Sequence, residues 1–189
     1  MKIGTKSLLF GVHQICIHPL WVALAWWKLY GFPFDPRLWI AFIVHDWGYW
    51  GLDEMDGPIG DYHPVLGARI VHQLLDTGDT FTWYNFCQYH SRFLAKLHSE
   101  QPSRLCMADK LSLALEPWWL YLPRAWASGE LKVYMKSAEP DGKHGHMNLE
   151  RVTARQWYRS VQEYLLKYAE EHKDGKEDTT TQINRSDQV

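Results

Sequence analysis

The sequence places a histidine beside an aspartate, His45-Asp46, directly after an apolar run that reads as a helix. An aspartate suits that position poorly, because the C-terminal end of a helix carries a partial negative charge. Neutral imidazoles and carboxylates are the side chains that hold Zn, Mn or Fe, and carboxylates alone favour Mg or Mn. The pair therefore favours two ligands of one metal site over a polar helix end.

Further imidazoles and carboxylates occur one to a predicted helix. His18 and His63 each open a helix, His90 lies inside the next, and Asp109 lies inside the one after that, in "MADKLS". A helical bundle can bring one side chain from each helix to a common centre, and an open coordination position supplies reactivity. The pattern predicts a metal site built from five helices, in which the carboxylate of Asp46 can bridge two ions.

Proline and glycine punctuation predicts the helices that carry these residues, and no run alternates like a β-strand. Asp35 is a predicted N-cap with Pro36 at the first helical position, and Pro64 has the same place in the next helix. "EPWWLYLP" reads as a short element between two prolines, and "SGELKVYM" as one or two further helical turns. The five ligand-bearing helices are predicted at about 18–30, 36–46, 63–75, 80–97 and 102–115.

A final helix is predicted at about 149–172, where apolar residues recur at spacings of three to five. From residue 173 the chain becomes polar and charged, which is typical of a disordered tail. The length of 189 residues suits one compact domain. We therefore predict an all-α domain over residues 1–172, a helical bundle with a C-terminal helix, followed by a disordered tail at 173–189.

Charge and cysteine content exclude several classes of protein. The formal net charge is −2, so no overall basic field favours nucleic acid. The three cysteines are odd in number and lack C-x-x-C spacing, which is typical of reduced thiols in a cytoplasm. Residues 7–27 carry no Lys, Arg, Asp or Glu, yet His13, Gln14, His18 and Pro19 interrupt them. Unsatisfied polar groups are costly in lipid, so this segment predicts a buried core helix, no membrane contact and a cytoplasmic protein.

The order H…HD…D, here His18, His45-Asp46 and Asp109, resembles the HD-domain superfamily of metal-dependent phosphohydrolases. The resemblance covers roughly residues 6–121 and includes Val22, four residues after His18. It implies an HD-type helical bundle holding one or two divalent ions of Mn, Mg, Zn or Fe. It also implies the metal ligands His18, His45, Asp46, His63, His90 and Asp109, because "HPVLGA" and "YHSRF" are similar to the two extra ligand positions of binuclear members.

Three ligand assignments keep a neighbouring alternative. His13 is an alternative to His18; if it is not a ligand, it lies behind the ligands or in the core. Asp61 is an alternative close to His63, and His98 is an alternative to His90. The chain also departs from the family, since "HDWG" is not followed by the lysine of "HDIGK" or by the "GYP" signature. That departure argues against a cyclic-dinucleotide substrate.

Basic and aromatic residues near the ligands in sequence predict contacts with a substrate. Arginine forks and lysine point charges suit phosphate oxygens, so Arg92, Lys96, Arg104 and Lys110 are predicted to bind phosphate. Tyr49, between two tryptophans after the HD pair, is predicted to wall the pocket and stack on a base.

Acidic residues supply the predicted catalytic groups. Glu54 and Asp56 follow the HD pair in a Gly- and Asp-rich loop, and some mononuclear members of the superfamily place an acid there. Asp46 is the third candidate, because it would act together with the metal. The alternative for the two loop residues is simple solvation.

The sequence thus predicts a phosphohydrolase that cleaves a nucleotide or related small phosphoester with metal-activated water. Its partner would be the small phosphorylated substrate, and a homo-oligomer is compatible with the sequence. Two alternatives stay open: an HD-type mixed-valent di-iron oxygenase with the same ligands, and a non-catalytic metal-containing binding module.

Overall fold

A computed structural model describes residues 1–55, 57, 59–142, 147–149 and 152–172. Over these residues the regular secondary structure is entirely helical, which confirms the predicted all-α class. The predicted tail at 173–189 and Asp56 lie outside the described residues. The α-helices of the described part are α1 (Ile3–Phe10), α2 (His18–Tyr30), α3 (Pro36–Val44), α4 (Pro64–Leu75), α5 (Thr82–Gln88), α6 (Arg92–Leu97), α7 (Arg104–Leu115), α8 (Trp118–Ser128), α9 (Glu130–Ser137) and α10 (Ala154–His172).

Helix α7 lies at the centre of the packing, because it contacts both α2 and α10. Val22 on α2, Phe42 on α3 and Leu105 on α7 are fully buried in one apolar cluster. Removing such side chains from water contributes about 1.5–3 kcal/mol each. Helix α3 packs against α2 and α4, and α4 packs against α5. The helices that carry the predicted ligands are therefore neighbours in space.

The predicted starts of α3 and α4 and the predicted end of α2 are confirmed. Helix α3 begins at Pro36, and the side chain of Asp35 accepts a hydrogen bond of 2.9 Å from the backbone N–H of Arg37. Helix α4 likewise begins at its proline, and α2 ends before Gly31, whose φ of 90° suits glycine. These boundaries are set by local backbone chemistry, which explains why the sequence predicts them.

The predicted single core helix at the N-terminus is wrong, since residues 11–17 separate α1 from α2. The side chain of Gln14 accepts hydrogen bonds from the backbone N–H groups of Cys16 and Ile17, at 2.9 and 2.7 Å. Gly11 ends α1 where the chain passes Glu130, and a Cβ there would lie 2.5 Å from the carboxylate. Gly11 is the C-cap of α1, and its lack of a side chain leaves room for Glu130 at this end of the helix.

The predicted helix over 80–97 is also wrong, because it breaks into α5 and α6 around His90. Ser91 is the N-cap of α6, and its hydroxyl accepts a hydrogen bond of 3.3 Å from the N–H of Leu94. The carbonyl of Tyr89 accepts from the N–H of Ser103, 2.9 Å away, instead of continuing the helical pattern. His90 therefore lies between two helices, not within one.

The aromatic segment between the two prolines is longer than predicted. Helix α8 continues through Pro123 to Ser128, although a proline removes one helical hydrogen bond. Tyr121 and Ala125 on this helix are completely buried, and that packing offsets the lost bond. The further turns predicted after Gly129 are confirmed as α9, and α10 begins at Ala154, later than predicted.

The described helices were compared with the length and apolar character of a membrane-spanning helix. None of them combines the length and the apolar character that crossing a membrane requires. The charge-free segment at residues 7–27 is divided between α1 and α2, so it forms no continuous span.

Candidate metal centre

Four of the predicted ligands converge in a first cluster, formed by His18, His45, Asp46 and Asp109. The Nε2 atoms of the two imidazoles lie 3.4 Å apart, and each lies 3.2 Å from Oδ2 of Asp46. Oδ1 of Asp109 lies 3.1 Å from Nε2 of His18 and 3.6 Å from Nε2 of His45. Two imidazoles and two carboxylates therefore share one point, although they come from α2, the end of α3 and α7.

The other oxygen of Asp46 belongs to a second cluster, with His63 and His90. Oδ1 of Asp46 lies 3.4 Å from Nε2 of each of these imidazoles. The two Nε2 atoms are 3.1 Å apart. One carboxylate thus joins both clusters, with Oδ2 in the first and Oδ1 in the second.

The spacing of these atoms is that of ligands around an ion. Atoms bound at about 2.1 Å lie about 3.0 Å apart at a right angle and about 3.4 Å apart at a tetrahedral angle. The separations that involve an imidazole nitrogen run from 3.1 to 3.6 Å in the two clusters. Each cluster could therefore hold one metal ion without a large movement of its side chains.

Backbone carbonyls fix the tautomers of three of the imidazoles. Nδ1 of His45, His63 and His90 lies 3.0, 2.8 and 2.6 Å from the carbonyl oxygen three residues earlier. A carbonyl only accepts, so each Nδ1 carries a proton and donates it. In the neutral ring Nε2 then presents its lone pair to the cluster, which is the arrangement that orients a metal-binding histidine.

Because the clusters are buried, their charged and polar atoms destabilise the folded protein unless a cation pairs with them. Asp46 is 4% exposed and His45 is 1% exposed, and an unpaired buried charge is strongly unfavourable. Oδ2 of Asp46 has no hydrogen-bond partner that meets the geometric criteria among the described residues, although two imidazole nitrogens lie 3.2 Å from it. The lone pairs of His63 and His90 also face each other. A bound cation would satisfy all of these atoms.

In the metal-free protein, a proton on His45 takes the place of a cation in the first cluster. Burial by itself would lower the pKa of His45, but Asp46 and Asp109 outweigh it and raise that pKa to about 10. Burial opposes ionisation of both carboxyl groups, yet the imidazoles around them hold the pKa of each well below its usual value. Burial, together with the proximity of His90, lowers the pKa of His63. Metal binding must therefore displace protons.

Two glycines permit the close approach of the ligand-bearing segments. A Cβ on Gly67 of α4 would lie 2.4 Å from the carbonyl oxygen of Val44 and 2.9 Å from Cα of His45. A Cβ on Gly48 would lie 1.9 Å from the carbonyl oxygen of His63. Sequence patterns did not single out these positions, because the segments that meet there are separated along the chain.

The predicted substrate residues have other contacts in the structure. Tyr49 is buried, and its ring stacks on that of His63, with centroids 3.9 Å apart and an angle of 13°. The guanidinium groups of Arg92 and Arg104 lie over the rings of Tyr168 and Tyr30, at 5.6 and 5.4 Å. Lys96 is exposed on α6, and Lys110 is half-buried beside Asp109 on α7. Their contact with phosphate stays a prediction.

The predicted catalytic acids of the loop are not joined to either cluster by the described contacts. Glu54 is exposed, and Asp56 lies outside the described residues. Among the alternative ligands, His98 is exposed and accepts a hydrogen bond of 3.0 Å from Gln88. The structure thus brings together the six predicted metal ligands and leaves the role of the two acids a prediction.

Glu130 is a buried acid that the sequence patterns did not reveal. It opens α9 and is fully buried, and its Oε1 lies 3.2 Å from Nδ1 of His13. Nε2 of the same imidazole lies 4.0 Å from Oδ2 of Asp46. "SGELK" carries no signal of this position, because the partners that connect Glu130 to the site, Ser7, Val12 and His13, come from the first 13 residues of the chain.

The fold and the site together define an all-α protein with a buried histidine–aspartate centre that could hold metal ions. A scan against protein-family models and searches of curated proteins and of solved structures found no match to this chain. Its function must therefore be inferred from its own residues and their geometry.

Proposed function

We propose that this chain is a metal-dependent phosphohydrolase of the HD-domain type that cleaves a nucleotide or a related small phosphoester. The observation that carries the proposal is the division of one carboxylate between two clusters, with Asp46 Oδ2 in the first and Oδ1 in the second. Divalent ions held there would polarise a phosphoryl oxygen and lower the pKa of a water molecule toward neutrality.

The chain's own residues provide the fixed frame for that chemistry. Two imidazoles and two carboxylates of the first cluster, and two imidazoles and the shared carboxylate of the second, form a ligand set suited to Zn, Mn or Fe. The second cluster has one protein ligand fewer, so an ion there would keep one more coordination position for water or substrate. Hydrogen bonds to the backbone keep its imidazoles, His63 and His90, in a binding orientation.

Cationic side chains that follow two of the ligands in sequence support a phosphorylated substrate. Lys110 follows Asp109 on α7, and Arg92 begins α6 two residues after His90. Fixed cations beside a transferring phosphoryl group stabilise the charge that develops on its oxygens. Tyr49 covers one face of His63 and would form an aromatic wall beside the second cluster. We assign phosphate contact to the cations and base contact to the tyrosine.

A second candidate function rests on the second cluster. Its two imidazoles and one carboxylate are the ligand set that non-haem iron oxygenases use. With iron in both clusters, the same side chains would suit a di-iron oxygenase that cleaves a C–C or C–P bond with O₂. A protein that holds metal without catalysis is the third outcome that an experiment must separate.

Metal analysis of protein purified without chelator, followed by assays on the same sample, tests the proposal. We expect about two divalent ions per chain and, with Mn, product release from at least one member of a panel of nucleoside mono-, di-, tri- and cyclic phosphates, the product of a cyclic substrate being the nucleoside monophosphate. His90→Gln should abolish this release. The matched control His72→Gln should retain it, because His72 pairs with Asp76 outside both clusters. Iron with O₂ consumption would favour the oxygenase, and saturated protein without any turnover would favour the binding module.

A further inference from the structure

One side of α2 is apolar and yet exposed. Leu20, Leu24 and Trp27 lie within about 60° of one another around the helix axis, because successive residues are about 100° apart. The other side of the helix carries Val22 and Trp26, which are buried in the core against α7. The exposed stripe is therefore not the surface that holds α2 in the fold.

Aromatic rings extend this stripe beyond the end of α2. The ring of Trp27 contacts that of Phe32 edge-on, with centroids 5.5 Å apart, and Phe32 contacts Phe34 in the same way at 4.8 Å. The five side chains therefore form one continuous apolar surface, which we call the α2 face. Its residues are Leu20, Leu24, Trp27, Phe32 and Phe34.

The α2 face is large enough to supply the apolar part of a stable interface. Its residues are 41–86% exposed. Large apolar side chains present about 150–250 Å² each when free, so the exposed area is about 400–700 Å². A standard interface covers about 800 Å² of each partner, of which about 450–520 Å² is apolar. Scattered exposed leucines need no explanation, whereas a continuous apolar patch of this size is typical of a contact surface.

The distribution of charge favours a second copy of the chain as the occupant. A two-fold axis brings the same surface of both subunits together, so a charge near the axis faces an equal charge. Residues 7–27 contain no Lys, Arg, Asp or Glu. Beside Phe34, the charges of Asp35 and Arg37 pair with each other at 2.7 Å. The centre of the α2 face thus carries no charge that would repel its own copy.

Other occupants suit the α2 face less well. Helices that lie on membranes carry many Lys and Arg residues on a polar side, whereas the other side of α2 is buried in the core and Lys28 is its one charged residue. The segment at 173–189 is polar and charged, and Ile183 and Val189 are its only aliphatic residues. Neither an anionic lipid surface nor this segment matches the composition of the face.

We propose that the chain forms a two-fold homodimer in which the α2 faces of two copies pack against each other. The two helices run antiparallel, with the axis near Leu24 and with Leu20 of each copy against Trp27 of the other. The two Lys28 side chains then lie about 12–14 Å apart along the helices, at the polar rim of the interface. This dimer goes beyond the proposed hydrolase function and does not depend on it.

Sedimentation equilibrium of the full chain tests the proposal. The wild type should be a dimer with a Kd of about 1 μM or lower. Leu24→Lys and Leu24→Glu should each raise that Kd by at least about 100-fold, because like charges would meet at the axis. An equimolar mixture of the two variants should dimerise again, because opposite charges would then meet. The matched control Leu74→Lys, at an exposed leucine of α4, should dimerise like the wild type.

Each other result would overturn the proposal. A wild type that stays monomeric at about 100 μM has no such interface. A dimer whose Kd is unchanged in Leu24→Lys uses another surface, and a mixture of the two Leu24 variants that stays monomeric removes Leu24 from the axis. A monomeric wild type that floats with vesicles of phosphatidylcholine and phosphatidylserine, when Leu24→Lys does not, would assign the α2 face to a lipid surface.

Two controls keep the result independent of folding and of activity. Circular dichroism and thermal unfolding establish that each variant is folded. If the Leu24 variants are not, Leu20→Lys on the same face decides the result, because it places a charge within the same interface. Neither the mass in solution nor the flotation assay requires turnover, so failure of the dimer is distinguishable from failure of the hydrolase proposal.

Discussion

The carboxylate of Asp46 is the one side chain that both clusters share, so its substitution should remove both metal ions. In Asp46→Asn the charge is lost, and one of the two oxygens becomes an NH₂ group that cannot bind a cation. In the structure those oxygens face different clusters, at 3.2 Å from the imidazoles of the first and 3.4 Å from those of the second. Asp109→Asn alters only the first cluster, and His90→Gln alters only the second.

The rise in Tm that Mn causes depends on the number of occupied metal clusters. An ion at 100 times its Kd stabilises the folded protein by about 2.7 kcal/mol, so two occupied clusters contribute about 5.4 kcal/mol. For a protein of this size each kcal/mol shifts Tm by about 2–4 °C, so Mn should raise the Tm of the wild type by about 10–20 °C. Asp109→Asn and His90→Gln should each retain about half of that rise. Asp46→Asn should retain almost none.

The assay is thermal unfolding with and without Mn, together with elemental analysis of the dialysed protein. The expected metal content is about two ions for the wild type, one for each single-cluster variant and none for Asp46→Asn. Asp76→Asn is the matched control, because Asp76 is a buried aspartate that bonds His72 and two backbone N–H groups away from the clusters. An Asp46→Asn variant that still bound one ion, or an Asp76→Asn variant that lost both, would refute the assignment of the shared carboxylate.

Three further predictions rest on local contacts. The pKa of His45 is about 10 in the metal-free fold against 6.5 unfolded, so its stabilising contribution is complete below pH 6.5 and disappears as the pH rises through 10. Urea unfolding of the metal-free wild type and of His45→Gln should show that the difference in their free energies of unfolding shrinks between pH 6.5 and 10. Gly67→Ala should displace the end of α3 and weaken metal binding by at least about tenfold in a metal titration, whereas Leu66→Ala, exposed on the same helix, should not. Glu116→Gln breaks the buried ion pair with Arg124 and should lower the free energy of unfolding in urea by about 3 kcal/mol, and an unchanged value would contradict its structural role.

Local features of the sequence predicted a large part of the fold. A capping aspartate before Pro36, a proline at the start of α4 and a glycine after α2 act on the few residues next to them, so they can be read without knowing the rest of the chain. The six metal ligands were predicted on other grounds: residue type, position along the helical pattern and a family resemblance. The hydrolase assignment that this resemblance implies stays a proposal.

Long-range contacts account for what the sequence did not predict. At the break around His90, the carbonyl of Tyr89 accepts a hydrogen bond from the N–H of Ser103, and at the end of α1 Gly11 passes beside Glu130. Ser91 and Gly11 are local capping residues at these two places, but the distant partners Ser103 and Glu130 leave no pattern there. The buried position of Glu130 was missed for the same reason, because its partners Ser7 and Val12 precede it by more than a hundred residues.

Residue types and their order along the chain show which side chains can bind a cation and where most of their helices begin. The packing of the helices then turns one oxygen of Asp46 to each cluster and places a glutamate from α9 against His13 beside the first. Residue type and spacing act on the nearby backbone, whereas the direction of a buried carboxylate is set by all the groups that surround it. Those groups come together only when the helices pack.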